Sequence, residues 1–148
     1  MKRFSIVTLS LLLLCGCSGR LEQKIAQRVE DSCKPASASV IRIKDLTDFE
    51  WDKMYAFEYN AELYSIEQAI GTSYPDFVQF KRRMVFLKDG RVVYREDQAT
   101  NIERVLDGQV VFDIPDGEDY RVYGPDTLFL ATREKWDDGV YYELSEKR

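Results

Sequence analysis

The sequence predicts an α+β fold: an antiparallel β-sheet meander of six to eight strands, with an N-terminal helix and one internal helix. Three observations predict it. Short segments after residue 40 are rich in β-branched and aromatic residues, four of the eight glycines follow aspartate, and two segments have helical spacing. The 148 residues are 45% hydrophobic and 32% charged, which is typical of a globular chain with one domain.

The N-terminal helix is predicted over Arg20 to Asp31, where Leu21, Ile25 and Val29 recur every four residues on one face. A helix of about twelve residues is only marginally stable by itself. Its apolar stripe must therefore pack on another surface. We expect that surface to be the domain's own sheet, with the membrane face as the alternative.

The internal helix is predicted over Ala61 to Ile70, with Gly71 at the position of a C-terminal cap. The stretch from Ser32 to Ser39 contains Pro35 and small residues, and it predicts a linker or loop. The predicted strands are Val40–Ile43, Met54–Tyr59, Met84–Leu87, Val92–Arg95, Val110–Ile114, Tyr120–Tyr123, Leu128–Thr132 and Val140–Leu144.

Four Asp-Gly dipeptides predict tight turns between antiparallel strands, because this pair supplies the positive φ that short hairpins require. They are Asp89-Gly90, Asp107-Gly108, Asp116-Gly117 and Asp138-Gly139. Neighbouring strands joined by short turns indicate a meander and not a βαβ arrangement.

The first seventeen residues have the pattern of an export signal. Lys2 and Arg3 precede an apolar run from Phe4 to Leu14. Eleven helical residues extend about 17 Å, which is too short for a hydrocarbon core of about 30 Å. The segment is therefore predicted to target the chain and not to span a membrane.

The sequence Leu14-Cys15-Gly16-Cys17 resembles the lipobox of bacterial lipoproteins. The resemblance implies that residues 1–16 are removed and that Cys17 carries a diacylglyceryl group on sulfur, often with a further acyl chain on its amino group. Two or three chains give stable anchoring. The alternative is an ordinary cleaved signal followed by an unmodified cysteine.

The same resemblance implies a location. Ser18 follows the cysteine, which implies the inner leaflet of the outer membrane, facing the periplasm, or the outer face of the cytoplasmic membrane in an organism with one membrane. The chain is accordingly divided into a signal peptide (1–16), a lipidated N-terminus with a short helix and linker (17–39) and a single α+β periplasmic domain (40–148).

The mature chain is acidic and contains no histidine. Removal of residues 1–16 takes two of the 21 basic side chains and none of the 26 acidic ones, which leaves a formal charge of −7. This charge repels nucleic acid and favours association with a basic protein. The missing histidine excludes triads that need an imidazole and most zinc mechanisms.

Cys33 is the one cysteine left for the folded domain once Cys15 is removed and Cys17 carries lipid. A lone thiol in an oxidising compartment is buried, pairs between chains or is reactive. We expect an inert or intermolecular role, because no histidine exists to activate the sulfur.

The segment from Ile66 through Gly71 and Pro75 to Phe86, followed by Asp89-Gly90-Arg91-Val92, resembles part of the small outer-membrane assembly lipoproteins of the SmpA/OmlA type. In those proteins a helix that ends in a Leu-Gly turn is followed by a hairpin. The resemblance spans about thirty residues, and Tyr59-Asn60-Ala61 stands where that family has Gly-Met-Thr. It implies no binding residues here.

Aromatic residues form the first candidate binding surface. On one extended strand, the residues of one parity would share a face. We expect either a surface that stacks on cell-wall glycan or docks a partner, with Phe49, Trp51 and Tyr55 as its candidates, or burial in the core. The aromatic residues of this parity are Phe49, Trp51, Tyr55, Phe57 and Tyr59.

Basic residues form the second candidate. If most of them converge, they could bind phosphate-bearing lipid headgroups next to the anchor. The alternative is a solvated face whose cations pair with neighbouring acids. The six cations are Lys81, Arg82, Arg83, Lys88, Arg91 and Arg95.

Acidic residues form the third candidate, as Asp113, Asp116, Glu118 and Asp119, and separately as Asp48, Glu50 and Asp52. Their spacing lacks the alternating pattern of a calcium-binding loop. No metal and no cofactor are therefore expected. Nor does the spacing select a pair of carboxylates for glycoside hydrolysis.

These features together predict a lipid-anchored envelope protein that acts without catalysis, by binding another envelope macromolecule such as a protein or the cell-wall glycan. Tethering to a surface makes weak contacts effective. Two alternatives remain. One is a cell-wall glycoside hydrolase that uses paired carboxylates, and the other is an acidic inhibitor or immunity-type protein.

Overall fold

A computed structural model of the chain describes residues 19–32, 38–101, 103–137 and 139–148. These residues form two α-helices and eight strands, so the α+β fold class is confirmed. The elements are α1 (Leu21–Ser32), β1 (Ser39–Arg42), β2 (Lys53–Phe57), α2 (Leu63–Ile70), β3 (Arg83–Lys88), β4 (Arg91–Asp97), β5 (Val110–Phe112), β6 (Tyr120–Tyr123), β7 (Leu128–Trp136) and β8 (Gly139–Glu146).

The strands form two four-stranded sheets. Sheet 1 has the order β1-β7-β8-β5, and sheet 2 has the order β4-β3-β2-β6. All neighbours are antiparallel except β5, which runs parallel to β8. The long β7-β8 hairpin forms the centre of sheet 1, whereas β3 and β2 are the central strands of sheet 2 and β4 is an edge strand.

The Asp-Gly turns join paired strands less often than predicted. Asp89-Gly90 closes the β3-β4 hairpin with two positive φ angles, as expected. The turns at Gly108 and Gly117 also have positive φ, but each connects strands of different sheets. At the β7-β8 hairpin Gly139 is already part of β8, and Asp138 lies outside the described residues. An Asp-Gly pair specifies a local reversal, whereas the partner of the next strand depends on distant residues.

The main core lies between the two sheets. Tyr123 of sheet 2 packs against Phe129 of sheet 1, with ring centroids 4.9 Å apart. The stripe of α1, formed by Leu21, Ile25 and Val29, is buried in the same cluster. The helix therefore packs on the domain's own sheets, as expected, and is part of the folded body.

The smaller helix α2 covers the face of sheet 2 that points away from sheet 1. Its Ile66 and Ile70 pack in a second cluster with Tyr55 and Phe57 of β2. Gly71 ends the helix in the left-handed conformation, and its N–H donates to the carbonyl of Glu67 at 2.9 Å, which confirms the predicted cap.

Neither described helix is long and apolar enough to traverse a lipid bilayer. The predicted signal peptide, Cys17, Cys33 and Pro35 lie outside the described residues.

Candidate binding surfaces

The start of α1 is fixed by a carboxylate from a distant strand. Glu96 of β4 is buried, and it accepts hydrogen bonds from the backbone N–H groups of Leu21, at 2.7 Å, and Glu22, at 3.3 Å. Arg20 and the hydroxyl of Tyr94 also donate to Glu96. These bonds satisfy amides that a helix leaves without partners in its first turn. Burial and the neighbouring Glu96 raise the pKa of Tyr94 to about 12.

The aromatic stretch does not share one face. Trp51 is buried between the sheets, whereas Tyr55 and Phe57 are buried on the opposite side of sheet 2, under α2. The expectation of a common face is wrong because β2 begins only at Lys53, so the alternation of the strand does not extend back to Phe49. Phe49 is half-buried against the main core. Phe49, Trp51 and Tyr55 therefore belong to the hydrophobic core.

Two of the six cations meet on the outer side of sheet 2. The guanidinium carbons of Arg83 and Arg95 lie 5.5 Å and 5.0 Å from the ring centroid of Tyr74. Arg83 is buried, and it donates to the carboxylate of Asp97 and to the carbonyl of Val78. This pair fixes the loop that joins α2 to β3.

The other four cations do not join this pair. Arg82 pairs with Glu58 at 3.2 Å, and Lys81 forms no ion pair with a described residue. Lys88 and Arg91 lie at the other end of sheet 2, at the tip of the β3-β4 hairpin. The six cations thus form two separate groups at opposite ends of one sheet.

A groove with a mixed polar and apolar lining lies at the end of sheet 2 where β2 ends and β3 begins. It has a volume of about 470 Å³ and is lined by residues 59–64, Phe77, Gln79 and Phe80. Tyr64 and Phe80 are exposed, as is Val78 beside them. We call the exposed side chains Leu63, Tyr64, Val78 and Phe80 the end surface.

No described helix or strand covers the side of sheet 1 that points away from sheet 2, although residues 104–107 lie beside Trp136 at one end of it. We call this side the outer face. Its exposed apolar side chains are Val40, Leu128, Leu130 and Trp136. Val40 and Leu130 are direct neighbours across the β1-β7 pair. Neither hydrophobic cluster includes a described side chain from this face, which also carries the half-buried Tyr141.

Three carboxylates lie on the same outer face. Burial raises the pKa of Glu143, and the nearby charges of Asp113 and Glu134 raise it further. The charges of Asp113 and Glu134 therefore each repel the charge of Glu143 at neutral pH. Of the acids noted in the sequence, Asp113 directly follows β5 and belongs here, whereas Asp116, Glu118 and Asp119 lie further along the connection to β6.

Comparison with family models, with curated proteins and with solved structures finds no match for this chain. Within the described ranges, no group of three or more Cys, Asp or Glu residues is placed to hold a metal ion. Among the described residues, the outer face and the end surface each bring several exposed apolar side chains together, and we consider them as candidate binding surfaces.

None of the sequence patterns described above predicts either surface. The signal for the outer face lies in the run Leu128-Phe129-Leu130-Ala131, where both parities are apolar. A strand with one solvated face would alternate apolar and polar residues there. For the end surface the signal is weaker, since Val78 and Phe80 lie in a loop whose fold depends on Arg83 and Arg95.

A second groove, of about 420 Å³, lies between α1 and residues 106–109 and includes the carboxylates of Glu22 and Asp107. Glu22 accepts the N–H of Val110 at 3.2 Å, and Asp107 accepts the N–H of Val140 at 2.8 Å. Burial raises the pKa of Glu22; the bond from Val110 opposes this effect, and the charge of Glu96 adds to it. Both carboxylates therefore accept hydrogen bonds from backbone amides and stabilise the local fold.

We expect Glu22→Gln to raise the melting temperature at pH 7. Because the pKa of Glu22 is raised in the fold, ionisation of this carboxyl group opposes folding at pH values above the ordinary glutamate pKa of about 4.5. The gain should vanish at lower pH, where the wild-type side chain is protonated. Thermal denaturation at pH 7 and pH 4 measures this, with Glu50→Gln, at an 81% exposed side chain, as the control. A lower melting temperature for Glu22→Gln at pH 7 contradicts the prediction.

Proposed function

We propose that the chain is a lipid-anchored envelope protein that acts without catalysis, by binding a second protein on the outer face of sheet 1. The anchor is Cys17, and the proposed location is the periplasmic side of the outer membrane. The observation that carries the proposal is the outer face itself, which is apolar, acidic and covered by no described helix or strand.

The apolar part of the outer face supplies the attraction. Its four large side chains are between 37% and 53% exposed, and Trp136 is the most exposed of them. Burial of apolar surface contributes about 25 cal/mol per Å². Trp136 lies at the opposite end of β7 from Leu128 and Leu130, where it offers a second apolar contact. Tryptophan is a frequent centre of binding energy in protein interfaces.

The acidic part of the outer face selects the partner. Glu143 is held between Asp113 and Glu134, so a lysine or arginine placed among them relieves repulsion as well as forming ion pairs. The formal charge of −7 on the mature chain attracts a basic partner at longer range. We therefore propose a partner protein whose contact surface carries lysine or arginine among apolar side chains.

The anchor makes a modest affinity sufficient. A protein held at a membrane surface meets partners in the same envelope layer at a high effective concentration. The outer face needs no catalytic group for this role.

Carbodiimide crosslinking of intact envelopes tests the proposal, because this reagent joins carboxylates to lysine amines in contact with them. Mass spectrometry of the acylated protein should map crosslinks from Asp113, Glu134 or Glu143 to lysines of one partner. Crosslinks that map only to other acids, such as Asp76 or Glu62, contradict the proposal.

A pair of matched variants tests the apolar part. Leu130→Ala removes an apolar side chain from the outer face without adding a charge, and it should reduce the crosslinked partner about tenfold, as expected for an interface contact worth about 1.4 kcal/mol. Val122→Ala changes a similarly exposed side chain on sheet 2 and should leave the yield unchanged. Equal yields from the two variants contradict the proposal.

A further inference from the structure

We propose that the end surface is a membrane contact surface, which rests on the same lipid layer that holds the anchor and inserts Val78 and Phe80 into its interface. This inference depends on the proposed lipidation of Cys17. It adds an orientation: one end of sheet 2 faces the bilayer.

The end surface and the start of α1 lie at the same end of the fold. Arg83 at the beginning of β3 is paired in register with Asp97 at the end of β4. Arg20 donates to the carbonyl of Asp97, and the pairing of these strands continues through the bond from Gln98 N–H to the carbonyl of Arg82. Phe80 is two residues before Arg82. The first turn of α1 and the loop that carries Phe80 therefore flank the same strand ends.

The chain leaves little distance between the fold and the proposed anchor. Three peptide units separate Cys17 from Arg20, and they can extend at most about 10 Å. Because Glu96 holds the N–H groups of Leu21 and Glu22, the fold itself cannot release more chain without breaking that cap. Acyl chains in the bilayer would therefore hold this end of the molecule against the membrane.

The loop presents its apolar side chains in a fixed conformation. Arg83 donates to the carbonyl of Val78, while Arg95 donates to the carbonyl of Pro75 and to the carboxylate of Asp76. Val78 and Phe80 are nevertheless 52% and 54% exposed. Phe80 has a φ of +58°, which bulky residues rarely adopt. Both the strained backbone of Phe80 and the exposure of its ring to water are unfavourable. Entry of the ring into an apolar environment would offset these costs.

The surrounding residues suit a lipid interface. Tyr64 is exposed beside Phe80, and aromatic residues with a polar tip favour the headgroup level of a bilayer. Lys81 can extend its amine towards phosphates. Of the nearby acids, Asp76 is paired with Arg95, Glu58 is paired with Arg82, and Glu62 is exposed. The contact is thus mainly apolar, and we expect it to depend little on salt.

Fluorescence quenching by brominated lipids tests this contact. Mature acylated protein carrying Trp136→Phe, to remove the exposed native tryptophan, receives either Phe80→Trp or Leu128→Trp. Both positions are exposed, so both variants should fold, and the buried Trp51 gives the same background in each. The proteins are reconstituted in phosphatidylcholine vesicles with brominated acyl chains.

We expect quenching of the Phe80→Trp protein to exceed that of the Leu128→Trp protein about twofold or more, since interfacial side chains enter by about 5–10 Å. Equal quenching in protein that floats with the vesicles overturns the membrane contact and leaves the anchor intact. Wild-type protein that fails to float with vesicles, as a Cys17→Ala form should, overturns the anchor and this inference together.

Discussion

Asp97→Ala is expected to reduce the free energy of unfolding by about 3 kcal/mol, the lower end of the range for buried ion pairs that lose one partner, because Asp97 itself is 27% exposed. The side chain of Arg83 is 0% exposed, and Asp97 is its carboxylate partner at 3.2 Å. Asp97 also accepts a hydrogen bond from the hydroxyl of Tyr74. Without Asp97, a guanidinium would remain buried against Tyr74 and Phe77 with no opposite charge in contact.

Urea denaturation, followed by the fluorescence of buried Trp51, measures the effect. The matched control is Arg83→Met combined with Asp97→Ala. Since methionine removes the unpaired positive charge of Arg83, the double variant should be more stable than Asp97→Ala alone. A loss below about 1 kcal/mol for Asp97→Ala would mean that the pair behaves as an exposed one.

Glu96→Ala is expected to destabilise the protein by about 2–3 kcal/mol, because hydrogen bonds to a buried charged group contribute more than neutral ones. The change removes the acceptor for the N–H groups of Leu21 and Glu22. Hydrogen exchange should show the loss locally, as faster exchange of these two amides.

Glu62→Ala is the matched control for Glu96. Glu62 occupies the position before α2, but it is exposed and its side chain makes no capping bond. We therefore expect a change within about 0.5 kcal/mol. Unchanged protection of the α1 amides in Glu96→Ala would contradict the role of Glu96 as a cap.

The sequence predicted features whose causes are local. The four-residue period of Leu21, Ile25 and Val29, the glycine at position 71 and the Asp89-Gly90 hairpin all depend on residues a few positions apart, and the structure confirms them. The parallel pairing of β5 with β8 was not predicted. It joins residues 110–112 to residues 142–144, and no local signal specifies a partner at that distance.

The candidate binding surfaces are also hard to predict, because exposure depends on packing between residues that are distant in the sequence. Parity indicates which residues share a face of one strand, but it does not say which face another element covers. Arg83 has the sequence context of a surface cation, yet the loop from Tyr74 to Val78 buries it. Leu130 has the context of a core residue, yet no described element packs on its side of sheet 1.

The attachment of α1 has a consequence for biogenesis. This helix is made early, but Leu21 bonds to a residue 75 positions later and Glu30 to one 112 positions later. Contacts this distant in sequence form slowly, and a helix of about twelve residues is unstable without them. The chain therefore cannot complete its core until almost all of it has been synthesised. Under the proposed export, this delay keeps the polypeptide unfolded while it is threaded through a translocation channel.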